Sequence, residues 1–99
     1  MIEVQNTKSK GLSFAVKSGS GKIILQSVGF KNQGEIEQTI KQLTSHTKLI
    51  NKVERKTNFE GKFLFAIKND KNKIIGYSGC YTSQAGMENG IKHFIENLS

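Results

Sequence analysis

Apolar and polar residues alternate at period two over Leu12, Phe14 and Val16, with Ser13, Ala15 and Lys17 between them. That is the pattern of a strand with one strongly apolar face. Residues 18–21, Ser-Gly-Ser-Gly, turn the chain, since glycine reaches positive φ without steric cost. Residues 22–28 then return as a second strand. A four-residue loop predicts pairing of Lys17 with Lys22, Val16 with Ile23, Ala15 with Ile24 and Phe14 with Leu25, which puts Phe14, Val16, Ile23 and Leu25 on one face. Upstream, Ile2 and Val4 alternate in a short strand over residues 2–5, and residues 6–11 read as a polar loop. Downstream, Asn32 and Glu35 have capping-box spacing. Ile36, Ile40 and Leu43 form the apolar stripe of a helix that frays over residues 44–48.

The same pattern is then written again. Phe65-Ala66-Ile67-Lys68 answers Phe14-Ala15-Val16-Lys17 at an offset of 65 − 14 = 51 residues. Lys73-Ile74-Ile75 answers Lys22-Ile23-Ile24, and Ile91-Lys92 answers Ile40-Lys41, without a gap. The chain is therefore a tandem duplication. In copy two the opening strand lies around residues 52–56, residues 58–61 turn the chain, and Phe63, Phe65 and Ile67 face inward. Residues 69–72 make the hairpin turn and residues 73–79 return. Ser83 caps a helix that buries Met87, Ile91, Phe94, Ile95 and Leu98. Gly86 and Gly90 lie four apart on that helix, where each costs about 1 kcal/mol against Ala. A close approach of the helix backbone to the sheet is the expected reason.

Each copy reads βββα. A unit of half this chain buries little surface by itself, so the 99 residues are expected to form one domain of two repeats, 1–48 and 52–99. The predicted fold is α+β: six strands in a single antiparallel sheet with both helices packed on one face. The other face then meets solvent or a partner.

Composition narrows the function classes. The formal charge is +7; interspersed lysines are the ordinary surface of a soluble basic protein, and the summed field also favours nucleic acid or anionic surfaces as partners. No block of like charges forms a basic tail. The single cysteine, Cys80, excludes an internal disulfide and a multi-cysteine metal site and suits a reducing compartment. The first ten residues lack the apolar core of a secretory signal, and no apolar run is long enough to span a membrane. A bacterial-type cytoplasmic location, without membrane association, is the expectation.

Gly61-x-Phe63-x-Phe65, Lys68, the turn after it, Ile74-Ile75, Ser78, Tyr81-x-Ser83 and Asn89-Gly90-Ile91 together resemble the repeat of the YegP-like family, small bacterial proteins of unknown function. The resemblance spans essentially the whole chain. Copy one departs from it, with Phe30 at the tyrosine position and Thr39 at the glycine position. The resemblance implies two repeats in one sheet with an exchanged strand, the strand near Val53 linking the copies. It implies no activity, substrate or site.

No catalytic constellation emerges. His46 and His93 are not duplicates and lack metal-ligand spacing; His93 reads as an exposed helix residue. Cys80, between Gly79 and Tyr81, reads as a small buried hydrophobe rather than a nucleophile. Glu3 and Glu54 are duplicate carboxylates, as are Glu37 and Glu88. Ion pairs along the helix from Glu37 to Lys41 and from Glu88 to Lys92 are the simple account of the second pair. Neither a metal, a cofactor nor an enzymatic activity is expected.

The informative surface is the second sheet face. In the predicted register Ala15, Lys17, Lys22 and Ile24 share it, and Ala66, Lys68, Lys73 and Ile75 repeat it residue for residue. Lys17 then opposes Lys22, and Lys68 opposes Lys73, a mildly destabilising arrangement. Leu64 and Tyr77 extend the surface in copy two. The simple account is that lysines at hairpin tips protect strand edges. The functional account makes Lys17, Lys22, Lys68, Lys73 and Tyr77 a binding face. It would dock nucleic acid, with lysines on phosphates and Tyr77 on a base, or an acidic protein. With Arg55 the only arginine, nucleic-acid binding would be weak, general and salt-sensitive. The alternative is a structural or stress-associated accessory protein that self-associates through this face or its edges; a monomer or a homodimer is expected.

Overall fold

A computed structural model describes residues 1–7, 11–45 and 49–98. The elements run β1 (Ile2–Thr7), β2 (Gly11–Lys17), β3 (Ile23–Ser27), α1 (Gln33–Ser45), a short 3-10 helix (Leu49–Lys52), β4 (Val53–Thr57), β5 (Phe63–Lys68), β6 (Ile74–Ser78) and α2 (Gln84–Glu96). The six strands form one antiparallel sheet in the order β1-β2-β3-β6-β5-β4. β1 runs on to Thr7 and β2 begins at Gly11, with Thr7 opposite Gly11, so the predicted loop over residues 6–11 is shorter than the sequence suggests. Of the frayed end expected over residues 44–48, residues 44 and 45 are still helical, and the rest, with His46, lies outside the described residues.

The copies join through β3 and β6. Gln26 faces Tyr77, and Leu25↔Ser78 and Ser27↔Gly76 flank them. Gln26 and Tyr77 are separated by the repeat offset, 77 − 26 = 51, so a pseudo-two-fold axis passes through this pair. The exchanged strand is absent from this arrangement: β4 pairs with β5 of its own copy and lies at the sheet edge, as β1 does with β2. Each copy completes its own three-stranded meander, so the join needs only the strand left over on its inner side.

The hairpin register also differs from expectation. Lys17 pairs with Ile23 and Val16 with Leu25, with an irregularity between Val16 and Lys17 that leaves Ile24 over. The second hairpin repeats it: Lys68 pairs with Ile74, Ile67 with Gly76, and Ile75 is the extra residue. A bulge of this kind aims neighbouring side chains to one side. Ile24 and Leu25 both enter the core, while Ile23 stays out at 48% exposure. The turns carry the strain where it is cheap: Gly21 has φ +87 and its image Asn72 has φ +62, an angle that Gly and Asn tolerate best.

One core serves both copies. Phe14, Val16 and Leu25 with Phe65 and Ile67 form the sheet side, and Ile36, Leu43, Met87, Ile91, Phe94 and Leu98 come from the helices, so α1 and α2 cover one face. Both predicted helix caps are present. Asn32 Oδ1 accepts from the Glu35 N–H at 2.9 Å and Glu35 Oε2 from the Lys31 N–H at 3.2 Å; Ser83 Oγ accepts from the Gly86 N–H at 3.0 Å.

Three substitutions between the copies are matched to one another by packing. Leu25 and Gly76 occupy image positions beside the axis, and a Cβ on Gly76 would lie 2.8 Å from Leu25 Cδ2. One side must give up its side chain for the other to keep it. In copy two Tyr81 lies over α2, where a Cβ on Gly90 would meet its hydroxyl at 2.2 Å. Gly90 thus accommodates the Tyr81 ring rather than the sheet backbone. In copy one the tyrosine is Phe30, without a hydroxyl, and the glycine is Thr39.

Candidate functional site

The uncovered sheet face is read along one row of paired residues. Glu3, Ala15, Gln26, Tyr77, Ala66 and Glu54 lie side by side across all six strands. The row is symmetric in kind: glutamates at its ends, alanines inside them, and Gln26 beside Tyr77 on the axis. Tyr77 is 42% exposed. The alanines are fully buried by their neighbours, because a methyl between longer flanking side chains is roofed over by them. The Gln26 amide is held in place, its Nε2 lying 3.2 Å from Gln5 Oε1, 3.3 Å from Ser13 Oγ and 3.3 Å from the Phe14 carbonyl.

The lysines of this face are paired with carboxylates rather than with each other. Lys17 Nζ lies 3.1 Å from Glu3 Oε2. Its image Lys68 lies 3.4 Å from Glu54 Oε1, and Lys56 lies 3.3 Å from Glu54 Oε2. Hydrogen bonding from Lys56 draws the Glu54 carboxyl below the usual carboxylate range; desolvation opposes it, and the charge of Lys56 and the contact with Lys68 add to the lowering. The predicted Lys17–Lys22 and Lys68–Lys73 oppositions are therefore absent. The bulge moves each second lysine off the ladder and puts Ile23 or Ile74 in its place. Lys22 and Lys73 are exposed in the hairpin turns, where Lys73 lines a cleft beside α1.

The expected open strip of Ala15, Ile24, Ala66 and Ile75 is corrected in the same way. All four are buried, the isoleucines because the bulges turn them to the helix side. The apolar exposure of this face comes instead from Tyr77 and Ile23, with half-buried Leu64 and Ile74. Of the five proposed residues, the fold brings Lys17, Lys68 and Tyr77 onto one face and sets Lys22 and Lys73 apart. Sequence reasoning missed Gln26, although its position, one repeat before Tyr77, was the available signal.

Elsewhere the helix ion pairs are replaced by a longer-range one. Arg55 on β4 grips Glu88 on α2 through both carboxylate oxygens, Nε–Oε2 at 2.6 Å and Nη2–Oε1 at 2.9 Å. The pairing lowers the Glu88 pKa and raises that of Arg55. Glu37 instead accepts from Gln33 Nε2 at 3.3 Å. In copy one the image of Arg55 is Val4, so no such clamp is available there. Cys80 is exposed rather than buried, 3.6 Å from Asn58 Nδ2, because it follows the end of β6 rather than lying within it. His93 is exposed, as expected. Among the described residues no three His, Cys, Asp or Glu side chains converge on a metal-sized site, and no helix is long and apolar enough to cross a membrane.

No family model matches the chain. The UPF0339 protein YegP of Escherichia coli is 30% identical over 90 residues, covering 91% of this chain and 82% of that protein. A UPF0339 protein from the ptx operon 5′ region of Stutzerimonas stutzeri is 28% identical over 91 residues, 92% of this chain and 82% of its own length. Two solution structures share the fold. YegP of Escherichia coli, described as a protein of unknown function, superposes with a TM-score of 0.89 at 28% identity, over 99% of this chain and 84% of that one. A UPF0339 protein of Shewanella oneidensis superposes with a TM-score of 0.88 at 26% identity, over 98% and 82%. With the duplicated βββα unit, one shared sheet and this level of identity over nearly its whole length, the chain belongs to the UPF0339 (YegP) family.

Proposed function

We propose that the protein is a non-enzymatic binding module whose uncovered sheet face takes single-stranded nucleic acid. The observation that carries the reading is the centre of that face: an exposed tyrosine on the pseudo-two-fold axis, with Lys68 on the neighbouring strand β5 and Lys17 on β2, beyond β3, on the other side. An aromatic ring on an open sheet stacks a base irrespective of sequence, and ammonium groups on either side meet the phosphates. Glu3 and Glu54 compete with phosphate for Lys17, Lys56 and Lys68, which keeps affinity low and makes it depend on salt.

Fluorescence anisotropy with labelled RNA and DNA oligonucleotides across a salt series tests this. Release of counterions by three lysines gives a log–log slope of about −2 for a single strand. Tyr77→Ala removes one stacked base and weakens binding about tenfold or more. Lys17→Glu with Lys68→Glu abolishes it. Absence of binding at low salt, or variants that bind like the parent, would rule the nucleic-acid reading out. Retention of an acidic protein alone would reassign the face to a protein partner. A second reading, self-association, draws on Ile23, exposed on the same face; a monomer at high concentration in sedimentation experiments excludes it.

A further inference from the structure

A second concavity lies on the other side of the sheet and is built from both copies. The segment after β3, the outer side of α1 and the β5–β6 turn enclose a cleft of about 470 Å³. That volume falls within the roughly 300–1,000 Å³ of small-molecule sites. Apolar Val28, Phe30 and Ile75 line it, and three lysines, Lys31, Lys71 and Lys73, approach from two different segments. The turn that presents two of them is fixed: Asn69 Oδ1 accepts from the N–H of Lys71 at 2.9 Å and of Lys73 at 3.0 Å.

The acids of the cleft are engaged. Glu35 Oε2 accepts from the Lys31 backbone N–H at 3.2 Å, and Asp70 lies 3.8 Å from Lys52. Among the described residues, the ammonium groups of Lys31, Lys71 and Lys73 form no ion pair. The arrangement is not a by-product of the duplication. The images of Lys31 and Lys71 are Thr82 and Ser20, and only Lys73 has a lysine image, Lys22. Charge has gathered at one of two equivalent places.

We propose that this cleft binds a phosphate monoester carrying a flat apolar group, the chemistry of a nucleoside monophosphate. Separate ammonium groups act as point charges suited to a tetrahedral dianion; planar carboxylates are better matched by an arginine fork. The apolar group lies over Val28 and Phe30, and Gln38 and Gln42 line the α1 wall.

Two-dimensional amide NMR of the full chain tests the site with adenosine monophosphate, adenosine and inorganic phosphate as probes. Adenosine monophosphate is expected to shift the amides of Phe30, Lys31, Lys71 and Lys73, inorganic phosphate the lysine amides more weakly, and adenosine none. Lys71→Gln with Lys73→Gln weakens binding at least tenfold, while Lys22→Gln at the image position leaves it unchanged. Both substitutions are at exposed positions, and an unaltered spectrum elsewhere confirms the fold. The proposal is overturned by shifts centred on Tyr77, which would place the nucleotide on the open face, by shifts spread over all lysines, by equal affinity for phosphate alone, or by no shift at millimolar probe.

Discussion

Gly90→Ala is expected to destabilise the protein, against the rule for helix interiors. Alanine gains about 1 kcal/mol over glycine by propensity alone. Here the new methyl would lie 2.2 Å from Tyr81 Oη, 2.5 Å from Cζ and 3.1 Å from Cε1. The ring cannot simply step aside, since it is half-buried and stacks on Phe65 with centroids 6.5 Å apart. Overpacking of this kind costs typically 1–3 kcal/mol. If it costs about 2–3 kcal/mol, the net loss is about 1–2 kcal/mol. That corresponds to a fall in Tm of roughly 4–16 °C for a domain of this size. The mechanism predicts a change of sign in a second background. In Tyr81→Leu the side chain ends at its δ carbons, short of all three clashing atoms, and Gly90→Ala should then stabilise by up to about 1 kcal/mol. The coupling, about 2–3 kcal/mol, is large for two contacting residues. Urea unfolding followed by far-ultraviolet circular dichroism measures all four proteins. Stabilisation by Gly90→Ala in the parent, or equal effects in both backgrounds, would refute the argument.

Three further outcomes follow from the same packing. Gly76→Ala should cost about 1–3 kcal/mol in urea unfolding, and Leu25→Ala should relieve it only in part, because the Gln26 carbonyl at 3.2 Å and Ser27 Cα at 3.3 Å remain. Ser27→Ala should cost about 1–3 kcal/mol, since Ser27 Oγ accepts from the Phe14 N–H at 2.7 Å in the buried core; Ser78→Ala, which removes the matching bond to Phe65 at 2.9 Å at a half-exposed position, should cost less. The Arg55–Glu88 clamp should be pH-dependent. The folded state depresses the Glu88 pKa, so its contribution is present above the ordinary glutamate value of 4.5 and is lost as pH falls through the folded value. The stability difference between the parent and Arg55→Met should therefore shrink below pH 4.5 in urea titrations, and a difference constant with pH would count against the clamp.

Much of the fold was legible because the chain states it twice. The period-two runs around Phe14 and Phe65, the caps at Asn32 and Ser83, and the stripe from Met87 to Leu98 locate strands and helices directly. Register was not legible. Ile23-Ile24-Leu25 is an unbroken apolar run, so alternation cannot say which residue is extra, and the bulge after Val16 decides it. That one residue moved Ile24 and Ile75 into the core and separated Lys22 and Lys73 from Lys17 and Lys68. Ion-pair partners were hidden for a related reason. Glu54 meets Lys68 across a strand pair and Glu88 meets Arg55 across a helix–sheet contact; neither spacing is local, whereas the helix spacing from Glu88 to Lys92 is the one that sequence displays.

Where the copies agree and where they differ separates folding from candidate function. Ser27 and Ser78 bond the same amide in each copy, Gly21 and Asn72 share one turn geometry, and Lys17 and Lys68 each hold a glutamate. These are requirements of the unit, which is why they survive in both. Some differences are also structural, because a residue beside the axis or against the helix must yield to its neighbour, as Gly76 yields to Leu25 and Gly90 to Tyr81. Around the cleft, Lys31 and Lys71 against Thr82 and Ser20 are differences that no packing contact described above requires, and on the open face Tyr77 stands exposed where its image Gln26 is held by Gln5 and Ser13. Duplication frees one copy to diverge where folding does not constrain it. The cleft proposed above rests on its difference between the copies and the open face on the exposed Tyr77, rather than on the net charge, most of which lies on residues outside either site.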